Sequence, residues 1–138
     1  MKLALQTDYA LRTLIYLAVR SERANIRDVA ELFAISHAHV AKVVNRLARL
    51  GFLRSVRGAG GGIELTRSPE EIRVGEVITA FEGSMNLLDC TAATGVCVID
   101  RFCKLKRVLS EAERIQLEFL NSVTLDEVVP TQRQLAKV

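Results

Sequence analysis

The sequence predicts a mainly α-helical protein with one small β-hairpin. Three observations carry this expectation. Apolar residues recur at steps of three and four in three successive stretches of the first 50 residues, two short strand-like runs flank a glycine-rich tip, and one long apolar stripe runs near the C-terminal end. With 138 residues, of which 49% are hydrophobic and 25% charged, the chain suits one main core, since domains commonly span roughly 100 to 150 residues. Two prolines and eight glycines give no disordered tract by composition.

The first element is DYALRTLIYLAVR, residues 8 to 20, where Leu11, Leu14, Ile15 and Leu17 recur at helical spacing and Thr7 reads as the N-cap. This opening is not expected to be a secretory leader, because Asp8 and Arg12 interrupt its apolar stretch and no small-residue cleavage site follows. Nor does any run approach the ~18 apolar residues of a membrane span. The expectation is a cytoplasmic protein without a membrane partner, in which thiols stay reduced and clustered cysteines favour metal or redox chemistry over disulfides.

NIRDVAELFAIS supplies a short second helix with Ile26, Val29, Ala30 and Phe33 on one face. SHAHVAKVVNRLARLG follows, with Val40, Val43, Val44, Leu47 and Leu50 at steps of three and four, Ser36 as cap and Gly51 as stop. Two helices joined by a tight turn, the second longer than the first, make a helix-turn-helix. Its polar side gives that arrangement a use. His39, Lys42, Arg46 and Arg49 recur at steps of three, four and three, with His37 at the helix start, and such groups reach phosphates and base edges.

Charge distribution agrees. The net charge is only +3, yet no acidic residue lies between Glu31 and Glu64, while Lys42, Arg46, Arg49, Arg54 and Arg57 all do. A block of one sign is a candidate footprint for a polyanion; a solvated face gives the same pattern. Next, FLRSV and IELT read as strands joined by RGAGGG, residues 57 to 62, which makes the wing of a winged helix-turn-helix. The glycines do not form a nucleotide cradle, because no Gly-Lys-Ser/Thr follows and the spacing is not G-x-G-x-x-G. A flexible basic tip, with Arg57 and Gly60, fits the DNA minor groove better.

SPEE, residues 68 to 71, is a helix-start signal, and VGEVITAFEG continues that helix or forms the next. From Phe102 to Leu120, a heptad-like stripe of Phe102, Leu105, Leu109, Ala112 and Phe119 is broadened by Val108 and Ile115. One small domain has little core left to cover so long a face. A second subunit would bury it, and a two-fold homodimer suits a palindromic operator in double-stranded DNA. TLDEVV has a Thr-x-x-Glu box for one more turn, and PTQRQLAKV reads as a frayed tail. The expected division is a winged helix-turn-helix unit over residues 1–82, a cysteine loop over 83–103, and a dimerisation helix with its tail over 104–138.

All three cysteines fall in that loop, as Cys90-x6-Cys97-x5-Cys103. Structural zinc sites pair their ligands as C-x2-4-C and need four, a thioredoxin-type site wants C-x-x-C, and no histidine lies nearby to activate a nucleophilic thiol. An iron-sulfur cluster tolerates longer loops, although a four-iron cluster requires a fourth ligand. Buried, inert thiols are the alternative that the spacing leaves open. An enzymatic role is not expected.

TDYALRTLIYLA, SHAHVAKVVNRLARLGFL, RGAGGGIELTRSPEEIRVGEVI and the three cysteines together resemble the winged-helix iron-sulfur transcriptional repressor family over about residues 1 to 128. Members that regulate cluster biogenesis place a histidine ligand soon after the third cysteine. CKLKRVL has none, so the resemblance is to the nitric-oxide-sensing members. It implies a [4Fe-4S] cluster held by Cys90, Cys97, Cys103 and an aspartate, here Asp8, from the first helix of the other subunit. The gap between the first two cysteines is one residue longer than in some members. Asp8 has a second explanation, since it can pair with Arg12 at i,i+4 for about 0.2–0.5 kcal/mol. As a hard oxygen ligand on a soft cluster it would be the one most easily displaced. The implied function is a repressor released from DNA when nitric oxide attacks the cluster; a sensor of iron or cluster status is the alternative within the family.

Overall fold

The structure is a computed structural model and describes residues 2–137. Three helices, α1 (Leu5–Arg20), α2 (Ile26–Phe33) and α3 (His37–Arg49), precede an antiparallel hairpin of β1 (Leu53–Val56) and β2 (Gly62–Leu65). After a single 3-10 turn at Pro69–Glu71 come α4 (Val74–Glu82), the short α5 (Asp89–Ala92), the long α6 (Lys104–Ser122), and two single turns, α7 (Leu125–Val128) and α8 (Gln132–Leu135). Helices and one hairpin therefore make up the expected winged-helix architecture.

The helix limits follow from local chemistry. Asn25 and Asp28 close a capping box on α2, and Ala34 turns left-handed to end it. Ser36 caps α3 by accepting from the His39 N–H at 3.3 Å, and Gly51, at φ +83°, supplies the left-handed residue that stops it. In the hairpin, Leu53 faces Leu65 and Val56 faces Gly62. A third strand position is added by Ala24, whose N–H and C=O both bond to Ile63. Gly62 is required there: φ is +147°, and a Cβ would lie 2.6 Å from the Ala24 carbonyl oxygen.

One core joins these parts. Leu14 and Leu17 of α1, Val29 of α2, Val40, Val43, Val44 and Leu47 of α3, and Phe52, Leu53 and Ile63 of the hairpin pack with Ile72, Val77 and Phe81. Leu125 of α7 completes the same cluster. The segment after α6 thus packs on the winged-helix core through Leu125, with Val129 and Leu135 partly buried against it.

Other expectations need correction. Thr7 is not the N-cap of the first helix; α1 begins one turn earlier, at Leu5, and Thr7 is fully buried, donating its hydroxyl to Glu82. Of the two alternatives expected after SPEE, the second holds: SPEE forms one capped turn that ends at buried Ile72, and VGEVITAFEG forms the next helix, α4. Phe102 lies in a 3-10 turn ahead of α6, and the long stripe divides in two. Leu109, Leu117 and Leu120 are half-buried on α6, which packs against α4, whereas Leu105, Val108, Ile115 and Phe119 remain 60%, 64%, 53% and 65% exposed. The C-terminal tail is docked rather than frayed: Thr131 caps α8 through the Gln134 N–H, and the Gln132 side-chain amide donates to the Val19 carbonyl at 3.1 Å.

Candidate nucleic-acid interface and cysteine loop

The recognition face begins with the buried side of α3. Val40, Val43, Val44 and Leu47 are 0–2% exposed and fix how the helix is rotated on the core. At about 100° per residue, the positions directly opposite are Ala38, Lys42, Asn45 and Arg49, and all four are exposed. Lys42 and Arg49 were expected there; Asn45 was missed because the expectation followed charge. Its signal was present in the helical repeat, since asparagine offers the paired donor and acceptor that read adenine in the major groove.

Arg46 departs from the expected stripe. Its guanidinium turns inward and donates to the carbonyls of Ala80 and Phe81, both at 3.1 Å, and to the Gln6 side chain at 3.4 Å. It also lies 4.4 Å from the centroid of the Phe81 ring. The physical reason is the end of α4, whose last carbonyls lack helical partners and attract a cation. His39 is exposed but held at one edge, its ring bonded to Ser36 at 2.9 Å and tilted toward Tyr9 at 6.1 Å. His37 is exposed at the helix start.

Arg57 and Gly60 are exposed at the wing tip, with Gly60 at φ +72°. The arm that carries them is braced. Arg23 donates to Glu64 at 2.8 Å and to the Gly60 carbonyl at 3.1 Å, and Arg54 donates to the same carboxylate at 2.6 Å. The hydrogen bonds from Arg23 and then Arg54 hold the Glu64 carboxyl below its ordinary range. Arg54, part of the basic block, thus shares the Glu64 carboxylate with Arg23.

The cysteines occupy a loop tied to α6 at two points. Near its start, Glu113 accepts from the Leu87 N–H and from the Thr91 hydroxyl, at 2.5 and 2.6 Å. Two helical turns away, Lys106 pairs with Asp100 at 2.6 Å and donates to the Ala93 carbonyl at 3.1 Å. Lys106 and the Gly95 N–H together hold the Asp100 carboxyl below its ordinary range. Between these ties Cys90 and Cys103 are half-buried and Cys97 is exposed, all as free thiols. Cys103 forms the N-cap of α6, where its sulfur accepts from the Lys106 N–H at 3.3 Å.

Three free thiols on one loop are the right donor chemistry for an iron-sulfur cluster, and a helix N–H directed at Cys103 suits a ligating thiolate. The loop does not gather them in this conformation: among the described residues, no three His, Cys, Asp or Glu side chains converge on a common metal position. Asp8 lies on α1, partly exposed, and accepts from Arg12 at 2.9 Å. The guanidinium of Arg12 stacks 5.7 Å from the Phe33 ring centroid. The i,i+4 pair expected from the sequence is therefore formed.

Comparison with known proteins agrees with this architecture. The sequence model of the Rrf2 family, described as iron-dependent transcriptional regulators, matches residues 3–131. The HTH-type transcriptional regulator NsrR of Bacillus subtilis (strain 168) is 42% identical over 141 residues, spanning 100% of this chain and 97% of the relative. Among solved structures, T. potens IscR superposes with a TM-score of 0.72 at 26% identity, covering 91% of this chain and 84% of that one. CymR, the global cysteine regulator of B. subtilis, also gives 0.72, at 22% identity and coverages of 93% and 95%, which shows the shared fold. The extended match over residues 3–131 and the full-length relative place the chain in one family: it belongs to the Rrf2 transcriptional regulators.

Proposed function

We propose that this chain is a homodimeric transcriptional repressor that senses nitric oxide through a [4Fe-4S] cluster and binds palindromic operator DNA. The observation that carries the reading is a connection: one helix, α4, joins the winged-helix unit directly to a loop holding every thiol in the chain. Cys90, Cys97 and Cys103, with the partner subunit's Asp8, would hold the cluster, which supplies iron that reacts with nitric oxide. Asp8 is suited to an easily broken link, because a carboxylate oxygen is a poor partner for a soft cluster and Arg12 offers it an alternative ion pair at 2.9 Å.

The second subunit is supported by the uncovered side of α6. Leu105, Val108, Ile115 and Phe119 form one apolar face with Phe102 just before it, and contiguous apolar surface of this kind marks an interaction site. A two-fold pairing through α6 presents two α3 helices to successive major grooves, with Lys42, Asn45 and Arg49 toward the bases and phosphates. Arg57 and Gly60 on each wing address the neighbouring minor groove. Losing the link through Asp8 frees one subunit's α1 from the other's cysteine loop, and the spacing between the two α3 helices relaxes.

The direct test is Cys97→Ala, which changes the exposed cysteine and leaves the core intact. Purified without oxygen, it should fold with unchanged helical circular dichroism, carry no iron or sulfide, and lack the tight operator binding of the native protein. A Cys97→Ala protein with the full visible absorption of an iron-sulfur protein would remove that ligand assignment. The family description also favours a reading in which iron supply is the signal; iron depletion that releases the operator where nitric oxide does not would select it.

A further inference from the structure

The C-terminus of α4 binds two other helices at once. Arg46 of α3 reaches it through the carbonyls of Ala80 and Phe81, the Phe81 ring and Gln6 of α1. The next residue, Glu82, turns the other way: its carboxylate accepts from the Ala4 N–H at 2.7 Å and from the buried Thr7 hydroxyl, and so caps α1. Immediately afterwards the chain leaves the helix at Gly83, φ +74°, and enters the segment that leads to Cys90. Asp8 follows Thr7 on the same helical turn of α1. The stem of the cysteine loop and the start of α1 are thus clamped to the recognition helix through two side chains, Arg46 and Glu82.

We infer that Arg46 and Glu82 are positioning residues that transmit the state of the cysteine loop to the DNA-binding face. This rests on the proposed function. A displacement of the loop stem moves the last carbonyls of α4, and Arg46, which holds two of them, carries α3 with it. A displacement of α1 at Asp8 reaches the same point through Thr7 and Glu82. Hydrogen bonds weaken steeply as their angle falls, so a displacement of the helix end weakens those from Arg46 unless α3 follows it. Arg46 therefore contributes to operator binding without touching DNA, in contrast to its neighbours Lys42 and Arg49, which are exposed.

The test compares the native protein with Arg46→Met, which keeps the packing on Phe81 and removes the bonds to carbonyls, and with Thr7→Val, which removes only the hydroxyl donated to Glu82. Operator affinity is measured for cluster-loaded and cluster-free forms, and salt dependence is measured on non-operator duplex with cluster-free protein. Both variants should retain the iron-sulfur absorption and the native salt slope, while the ratio of loaded to cluster-free affinity falls about tenfold or more. A salt slope reduced by about one in Arg46→Met would mean that Arg46 meets a phosphate directly, and would overturn the inference. An unchanged ratio in both variants would also overturn it. If Arg46→Met fails to fold, the ratio in Thr7→Val decides alone. Native protein whose affinity is independent of loading would instead remove the proposed function, so the two failures are distinguishable.

Discussion

Lys42, Asn45 and Arg49 share the exposed side of α3, and the chemistry of each sets a different expectation. Lys42→Ala should weaken binding to all duplexes alike and lower the salt slope by about one, as loss of one phosphate contact does. Asn45→Ala should leave the slope unchanged and relax the preference for one base pair by about 1–3 kcal/mol, measured by competition among operator variants. Glu64 gives a pH dependence. Because hydrogen bonds from Arg23 and Arg54 favour its ionised form and lower its pKa below the ordinary 4.5, its contribution to the wing is complete above that value and is lost only as pH falls through the lower, folded-state value. Amide resonances of Gly60 and Ile63 should therefore stay native through the ordinary carboxylate range and shift below it, whereas Glu64→Gln should loosen them at neutral pH. Sequence alone displayed the charges but not their partners: Arg46 and Arg49 are the same residue type three positions apart, and only the position of the α4 C-terminus separates the side chain bonded to its carbonyls from the one left exposed. Asn45 was legible, by counting opposite the valines instead of along the charges.

Helices α2 and α3 and the hairpin were readable because each is bounded by local chemistry, with capping residues at Asn25 and Ser36 and left-handed glycines at Gly51 and in the wing. Elements whose limits depend on distant groups were not. The start of α1 is decided by Glu82, 78 residues from the Ala4 N–H that it accepts, and α8 is docked by a bond from Gln132 to Val19. The wing tests the same distinction. Gly62→Ala places a Cβ against the Ala24 carbonyl at a positive φ, so the Ala24 to Ile63 pairing should open, seen as fast amide exchange at both residues, with operator binding weakened and the helices intact. Protected amides there would show that the hairpin register does not depend on that glycine. In the core, Leu47→Ala removes a side chain with no exposure and should cost about 2–5 kcal/mol in denaturant unfolding, the usual range for a leucine cavity.

On the scale of the whole molecule, the winged-helix unit, the cysteine loop and the C-terminal helices are in direct contact, since α7 buries Leu125 in the common core and α6 holds the loop through Lys106 and Glu113. The long apolar stripe was legible in the sequence, but its division was not, because a heptad pattern does not tell which residues face α4 and which face outward. Phe119→Lys, on the outward side, should produce a folded monomer by sedimentation and abolish tight operator binding; a dimeric Phe119→Lys protein would move the subunit interface elsewhere. The central claim joins the loop to the DNA-binding face, and it is tested most directly by stepwise addition of nitric oxide to anaerobically prepared, cluster-loaded protein, with visible absorption and operator binding followed in the same samples. The account predicts that absorption bleaches and operator DNA is released together; DNA that stays bound after complete bleaching would contradict it.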